Sequence, residues 1–222
     1  MAKNEVALVQ TGDNVPAHAA AAGRGNEEVG VDNLAIPRLK LLQKMNDEVD
    51  ENHPNHVPGA KAGMFMNSLT KELYEDGVYV INVKFTESYS VWKKRELGGG
   101  FAGVRDTLAE AQAIIDEQSN PAEYSISHSH DHLLLIKDAA TGEVSKPIIM
   151  GFASSKLSVS KRWNSVISMK GGDRFSGLWK LKPVSQTNRA NQPFFNLEPE
   201  FVGWCMDEDY KAAEAVYESF QK

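Results

Sequence analysis

The stretch "GVYVINVKFTESYSVW", residues 77–92, predicts the long central strand of the fold. Apolar side chains occupy every second position in its first half, at Tyr79, Ile81, Val83 and Phe85. This period of two is typical of a strand that buries one face and leaves the other in solvent. We therefore expect these four side chains to point to the same side of a sheet.

Other strand-like segments surround this stretch. Residues 63–77, "GMFMNSLTKELYEDG", predict a hairpin, and residues 122–153 predict a second hairpin with its turn near Ala140–Gly142. Residues 175–204 supply two further strands around a polar turn. Segments joined in this way are expected to pair as antiparallel neighbours.

Helical spacing appears in the first half of the chain at two places. Pro37 is expected to open a short helix that carries Leu39, Leu42 and Met45, because proline is favoured at the first helical position. Residues 104–118 also have apolar side chains at helical spacing, namely Val104, Leu108, Ala111 and Ile115. The second segment predicts a helix inserted between strands.

The clearest helix pattern lies in "SSKLSVSKRWNSVISMKGG", residues 154–172. Its apolar stripe consists of Val159, Trp163, Val166 and Ile167. Serines precede the stripe and two glycines follow it, as is typical of a helix start and stop. We expect Trp163 to be buried on this stripe.

Together these elements predict an α+β fold with mainly antiparallel strands. The arrangement is expected to be a small OB-fold-like barrel, of the oligonucleotide-binding kind, or a curved sheet, with one inserted and one capping helix. Residues 1–30 are rich in alanine, glycine and polar side chains, which predicts a disordered arm. Residues 31–204 then form the main domain, and residues 205–222 form an acidic helix or tail.

The bulk composition is that of an ordinary globular protein, with 41% hydrophobic and 24% charged residues in 222. The longest apolar runs are far shorter than the roughly 20 residues of a transmembrane helix, and the N-terminus lacks a signal-peptide pattern. A single cysteine, Cys205, excludes an internal disulfide and a cysteine-based zinc site. We expect a cytosolic protein that does not contact a membrane.

Charge is unevenly distributed along the chain, although the net charge is only −6. Residues 156–189 contain eight basic side chains and one acid, whereas residues 198–222 contain seven acids and two lysines. Such asymmetry favours a nucleic-acid surface beside an acidic end. A solvated surface with a chance blocky pattern is the alternative.

The stretch "YSVWKKRELGGGFAG", residues 89–103, combines aromatic, basic and glycine residues. It lacks the G-x-x-x-x-G-K-[ST] spacing of a phosphate-binding loop. A plain turn between strand and helix is one interpretation. The other is a loop that grips a nucleic-acid strand, with aromatic side chains stacking on bases and basic ones neutralising phosphates.

The stretch "HSHDH" places His128, His130 and His132 at alternate positions of a predicted strand. All three rings are expected to face one way, as metal ligands require, while Asp131 faces the other. An exposed polar strand face, or histidines beside a phosphate backbone, would give the same pattern. Motifs of nucleophilic or zinc-dependent hydrolysis are missing from the sequence, which favours a non-enzymatic protein.

Five segments in order resemble phage-encoded single-stranded DNA-binding proteins over about residues 32–204. These segments are "NLAIPRLKLLQ", "GMFMNSLTKELY", "VWKKRELGGG", "SVSKRWNSVI" and "FFNLEPEFVG". The resemblance implies an oligonucleotide-binding fold or a variant of it, the coating of exposed strands in phage replication and recombination, and an acidic C-terminus that contacts replication proteins. In N4-like podophages such a protein is also a transcription cofactor that brings a phage RNA polymerase to single-stranded DNA.

We therefore expect sequence-independent binding of single-stranded DNA in the host cytoplasm by a homo-oligomer that needs no cofactor. The predicted stacking residues are Tyr89, Trp92 and Phe101. The predicted basic groove consists of Lys93, Lys94, Arg95, Arg105, Lys156, Lys161, Arg162, Lys170 and Arg174. The alternatives are a metal-dependent phosphoesterase built on His128, His130 and His132, and a phage structural or assembly protein.

Overall fold

The computed structural model describes residues 35–220, which contain nine strands and three helices. The strands are β1 (Leu39–Leu41), β2 (Phe65–Asn67), β3 (Leu73–Tyr74), β4 (Val78–Lys93), β5 (Phe101–Arg105), β6 (Tyr124–Lys137), β7 (Ile148–Ala153), β8 (Gly177–Thr187) and β9 (Pro193–Trp204). The helices are α1 (Leu108–Asp116), α2 (Leu157–Lys170) and α3 (Asp207–Ser219). The predicted arm, residues 1–30, lies outside the described residues.

A six-stranded antiparallel sheet is built around β4, in the order β7-β6-β4-β8-β9, with β5 as a further neighbour of β4. Strand β6 pairs with β4 along nearly its whole length. On the other side of β4, β8 pairs with the first four residues, and β5 pairs with residues 89–92. The ends of β4 and β6 and the whole of β5 thus lie beyond β8 and form what we call the distal extension (residues 86–93, 101–105 and 124–131), of which residues 129–131 also pair with β7.

The predicted alternation along β4 is wrong beyond Val83. Asn82 pairs with Leu134 and Lys84 pairs with Leu133, so Val83 is an extra residue in a β-bulge. A bulge shifts the following side chains to the opposite face of the sheet. Ile81 and Val83 consequently pack on one face, whereas Phe85 contacts histidine rings on the other.

Helix α2 and the small sheet cover one face of the main sheet. Trp163 of α2 is fully buried there and contacts the rings of Phe152 and Trp179, as the helix pattern predicted. Val159 and Ile167 lie on the same buried stripe of the helix. Gly171, with a φ of 73°, follows the last residue of α2.

Helix α3 covers the opposite face of the sheet. Its buried Ala213 packs with Ile81 and Leu135, and Lys137 forms an ion pair with Asp209. Lys84 donates a hydrogen bond of 2.7 Å to the carbonyl oxygen of Phe220, just after the helix. The acidic C-terminal segment thus forms a helix that packs on the sheet.

The segment after Pro37 is a strand, not the predicted helix. Leu39 and Leu41 are buried on either side of exposed Lys40, and β1 pairs with β2 in the small sheet of order β1-β2-β3. This backbone also bonds to the main sheet, because the Ile149 amide donates to the Pro37 carbonyl at 2.9 Å. Extended pairing on both sides outweighs the helical spacing of three apolar side chains.

The small sheet spans the space between the two edges of the main sheet. At one edge Arg38 forms a parallel bridge with Ile149 of β7. At the other, the Gln43 side-chain amide donates to the Phe195 carbonyl at 2.9 Å, and the Phe195 amide donates back at 2.8 Å. These contacts join the edges through a separate sheet and do not make a closed barrel in the part of the chain that the structure describes.

The inserted helix begins later than expected. Val104 belongs to β5, and α1 starts at Leu108 after Thr107, whose hydroxyl accepts the Glu110 amide at 3.3 Å. The buried side chains of α1 pack on the distal extension. Within residues 35–220 no helix is long and apolar enough to cross a membrane.

The α+β class with mainly antiparallel strands is confirmed. The sheets do not close into the predicted barrel among residues 35–220, so the OB-fold is not confirmed. The β2–β3 hairpin and the turn before β7 also lie where the sequence placed them.

Substitution of Gly77, the residue just before β4, tests how closely this strand packs against β8. The φ of Gly77 is +92°, and an added Cβ atom would overlap the carbonyl oxygen of Leu181. Gly142 has a similar φ of +74° with open space around it. Gly142→Ala should lower the free energy of unfolding by about 1 kcal/mol from backbone strain alone, and Gly77→Ala by at least about 3 kcal/mol because of the added clash.

Urea unfolding of both variants measures the difference. Equal losses would contradict the close approach of β8 to Gly77.

The reactivity of the Cys205 thiol tests whether packing of α3 shields it from solvent. Burial, together with the charge of Asp209, raises the pKa of this thiol to about 11, and its sulfhydryl donates weakly to the Phe175 carbonyl. At pH 8 the folded protein should therefore react with a chromogenic disulfide reagent about 100-fold more slowly than the unfolded chain, since only the thiolate attacks. Equal rates in buffer and in denaturant would show that the thiol is not protected.

Candidate functional site

The distal extension has one covered face and one open face. Val91 and Ile126 pack against Ala111, Ile114 and Ile115 of α1. The opposite face carries mainly small polar side chains around Trp92: Thr86, Ser88, Ser90, Ser125, Ser127 and Ser129. Side chains alternate between the faces of a strand, so Trp92 lies on the face away from α1.

Trp92 and Phe101 form an exposed aromatic pair at the tip of this extension. They are cross-strand partners, with ring centroids 5.1 Å apart and ring planes inclined at 59°. Trp92 is 45% exposed and Phe101 is 58% exposed. Two large rings in solvent at a sheet end are typical of a binding surface, because burial normally stabilises such side chains.

The glycine loop joins β4 to the antiparallel strand β5. Gly98, Gly99 and Gly100 have φ values of 96°, 66° and 136°, and a Cβ atom on any of them would meet open space. The loop therefore needs glycine for its backbone conformation. A phosphate-binding loop leads from a strand into a helix, so this hairpin connection excludes that interpretation.

A surface groove of about 480 Å³ lies beside the loop. Its lining residues are Trp92, Lys93, Lys94, Arg95, Gly99, Gly100 and Ser125. The predicted aromatic and basic residues of this stretch are therefore brought together around one concave surface. Such a groove offers a ring face and cationic groups to the same ligand.

The basic side chains of the loop differ in their partners. Lys93 lies 3.1 Å from a carboxylate oxygen of Glu123, and Lys94 donates to the Ala122 carbonyl at 2.7 Å. Arg95 is exposed, and Arg105 is exposed with a hydrogen bond to the neighbouring Val104 carbonyl. The cationic groups of Lys94, Arg95 and Arg105 are thus close to solvent.

Tyr89 is held against protein groups. Its ring stacks on His128 with centroids 4.5 Å apart and planes 2° from parallel, and its hydroxyl donates to Glu87 at 3.3 Å. It also packs against the cluster under α1. Stacking of Tyr89 on a base remains a prediction, and it would require these contacts to change.

The predicted basic residues of α2 and the loop after it lie on a different part of the molecule. Lys161 is exposed, Arg162 lies 3.5 Å from Glu198, and Lys170 lies over the ring of Phe201 at 3.6 Å. Burial lowers the pKa of Lys156 and of Arg174. Arg174 also lies 5.5 Å from the centre of the Phe85 ring.

The charge blocks of the sequence meet in space. Besides the Arg162–Glu198 pair, Lys182 of β8 forms an ion pair with Glu200 of β9. The basic segment is therefore partly neutralised by the acidic one. The count of basic residues along the sequence therefore overstates the positive charge that this segment offers to a polyanion.

The three histidines of β6 face one way, as predicted, but they differ in their surroundings. His132 is fully buried, stacks on Trp163 at 4.9 Å, and has both ring nitrogens in hydrogen bonds. Burial lowers its pKa to about 3, with a further contribution from the charge of Arg174. His132 is thus a neutral core residue and is not free to bind a metal.

His128 and His130 lie instead beside Glu87 of β4. The Nε2 atom of His128 is 3.3 Å from one Glu87 oxygen, and the Nε2 atom of His130 is 3.7 Å from the other. The Nδ1 atom of His130 lies 2.8 Å from the Ser160 hydroxyl. Burial lowers the pKa of His130.

Glu87 and Ser160 were missed because local sequence gives no signal for either. Glu87 stands directly opposite His130 in the β4–β6 register, and Ser160 reaches the histidines from α2. Only the strand pairing and the helix packing bring them together.

A second exposed aromatic surface was also missed. Trp204 is 59% exposed at the end of β9 and contacts Phe201, and its neighbours in the sequence Val202 and Met206 are exposed as well. These three side chains occupy alternate positions in "FVGWCM", residues 201–206, and that alternation predicts only a strand.

Comparison with known proteins gives a family but no characterised relative. No curated protein and no solved structure matches the chain. The model of the family described as Pam3 phage gp34-like protein matches residues 6–222, which is nearly the whole chain. The chain therefore belongs to the Pam3 phage gp34-like protein family, a family of phage proteins.

Proposed function

We propose that the protein binds single-stranded DNA without sequence preference, in phage DNA replication or recombination, and that the distal extension makes the contact. The observation that carries this proposal is the exposed Trp92–Phe101 pair beside a basic, glycine-rich groove. Membership of a phage protein family is consistent with it.

The chemistry of the groove suits a single strand better than a duplex. Exposed rings can stack on unpaired bases, and each stacked base contributes about 1–3 kcal/mol regardless of its identity. In a duplex the base faces are already stacked on each other. The small serine side chains of the open face leave room for a strand to lie along the sheet.

Electrostatic attraction adds a salt-dependent contribution. Lys94 and Arg95 line the groove beside Trp92, although the whole chain carries a net charge of −6. A local cationic loop on an acidic protein can attract the DNA backbone to one place and repel it elsewhere. This supports one interface at the tip over a continuous groove that also includes α2.

Helix α3 bears on partner recruitment. Because it packs on the sheet, deletion of residues 207–222 would expose a core and could not test release of an acidic tail. Recruitment of replication proteins or a phage RNA polymerase by this end, and assembly into a homo-oligomer, remain proposals drawn from the resemblance.

The aromatic pair provides the first test. Trp92→Ala and Phe101→Ala should each weaken binding of an oligo-dT strand by about 5-fold to 100-fold, because each removes a stacking surface. Trp204→Ala is the matched control, since Trp204 is similarly exposed and also contacts a phenylalanine. Fluorescence anisotropy of a labelled oligonucleotide measures all three, with duplex DNA as a competitor.

A reversed pattern, in which only Trp204→Ala weakens binding, would move the interface to the end of β9. Failure of the wild-type protein to bind the oligo-dT strand would contradict the proposal. It would favour a structural or assembly role in which the exposed surfaces contact proteins.

The basic loop provides the second test. The logarithm of the association constant should fall linearly with the logarithm of salt concentration, and Lys94→Gln or Arg95→Gln should each reduce the slope by about 0.7. Lys146→Gln is the control, because Lys146 lies in the loop after Lys137, at the end of β6 opposite the distal extension. Equal slopes for all these proteins would show that the loop does not contact phosphates.

A further inference from the structure

We infer that Glu87, His128 and His130 form a binding site for a divalent transition metal ion of the zinc class, with one coordination position left open. These side chains offer two imidazole nitrogens and a carboxylate oxygen, and the three ligand atoms lie within 4.8 Å of one another. Two histidines and one carboxylate are a ligand set that zinc accepts, with a water molecule in the fourth position.

The spacing is close to what the ion requires. Ligands at about 2.0–2.1 Å from a tetrahedral ion lie about 3.3 Å from each other. The nitrogen–oxygen separations are 3.3 Å for His128 and 3.7 Å for His130, each to a different oxygen of Glu87, and the three ligand atoms all lie within 4.8 Å of one another. Movement of the exposed Glu87 side chain and of the partly exposed His128 ring is needed to bring the three ligand atoms to the tetrahedral spacing.

His130 shows the feature that points to a ligand. Its side chain is only 3% exposed, and its buried Nε2 atom has no hydrogen-bond partner among residues 35–220. An unpartnered buried polar atom is costly unless something binds it. This atom is directed toward the Glu87 carboxylate and the His128 ring, where the ion would lie.

The neighbouring residues fix the ligands as metal sites usually do. Ser160 contacts Nδ1 of His130 at 2.8 Å, and Tyr89 stacks on His128 and holds the plane of its ring. A metal-bound histidine generally donates its other N–H to such a neighbour. In that arrangement Nδ1 of His130 donates to Ser160, and Nε2 keeps its lone pair for the ion.

The hydrogen-bond chain behind His130 can support this tautomer. Ser160 also lies 2.7 Å from Nε2 of His132, whose Nδ1 is 2.9 Å from the Asn82 side-chain amide. The Ser160 oxygen has two lone pairs and accepts from both Nδ1–H of His130 and Nε2–H of His132, while Nδ1 of His132 accepts from the Asn82 amide nitrogen.

The proposed ion does not depend on DNA binding. Glu87, His128 and His130 lie on the face of β4 and β6 that α1 and α2 cover, whereas Trp92 lies on the open face. Metal binding and strand binding can therefore fail independently. The set also differs from the histidine triad suggested by the sequence, because Glu87 replaces His132.

The test uses the full-length protein after removal of metal with a chelator. Zn²⁺ is titrated in competition with a chromogenic chelator, and Co²⁺ serves as a spectroscopic probe of the ligands. We expect one equivalent of Zn²⁺ per chain and a visible Co²⁺ absorption band. Glu87→Gln and His128→Gln should each weaken Zn²⁺ binding at least 10-fold, because each removes a ligand. Ser160→Ala should weaken it about 10-fold but leave the Co²⁺ absorption band in place, because Ser160 only orients His130.

His53→Gln is the matched control, because His53 also lies beside a carboxylate, Asp47, at 3.8 Å. Its affinity for Zn²⁺ should equal that of the wild type. Circular dichroism establishes that each variant is folded, and both substituted ligands are partly exposed, so folding should survive. Lack of saturable binding, or binding that Glu87→Gln and His128→Gln leave unchanged, would overturn the site in favour of a simple histidine–carboxylate ion pair.

Discussion

The antiparallel pairing of β4 with β6 is the constraint on which the rest of the structure depends. It runs from Tyr79 to Lys93 and forms the spine of the main sheet. At its near end it supports the two cores under α2 and α3, and at its far end it extends beyond β8 as the distal extension. Both candidate sites lie along this far part, where the side chains of β4 and β6 no longer belong to the cores under α2 and α3.

The bulge at Val83 divides the pairing into two functional halves. Without the extra residue, Phe85, Glu87 and Tyr89 would continue on the α3 face. With it, Glu87 faces His130 and joins the histidine cluster, while Trp92 turns to the open face. One inserted residue therefore decides which side chains can act together.

Charge in this protein is organised by pairing in three dimensions. The basic stretch of α2 and β8 lies beside the acidic stretch of β9, and Arg162 and Lys182 have acidic partners there. The glycine loop carries a separate group of exposed basic side chains, and Lys161 of α2 is exposed as well. A local cationic tip on an acidic body favours one defined contact and disfavours general adhesion to nucleic acid.

Several features follow from local patterns and could be predicted from the sequence. The antiparallel α+β class, the β2–β3 hairpin, the stripe of α2 with buried Trp163, and the exposed aromatic and basic loop all arise from period, turn residues and composition. Other features needed tertiary structure because they depend on contacts between distant segments. The segment after Pro37 is a strand because β2 and β7 supply hydrogen-bond partners, and His132 is a core residue because Trp163 and Asn82 enclose it. Glu87 and Ser160 join the histidines only through strand register and helix packing, and neither is encoded in the residues next to them.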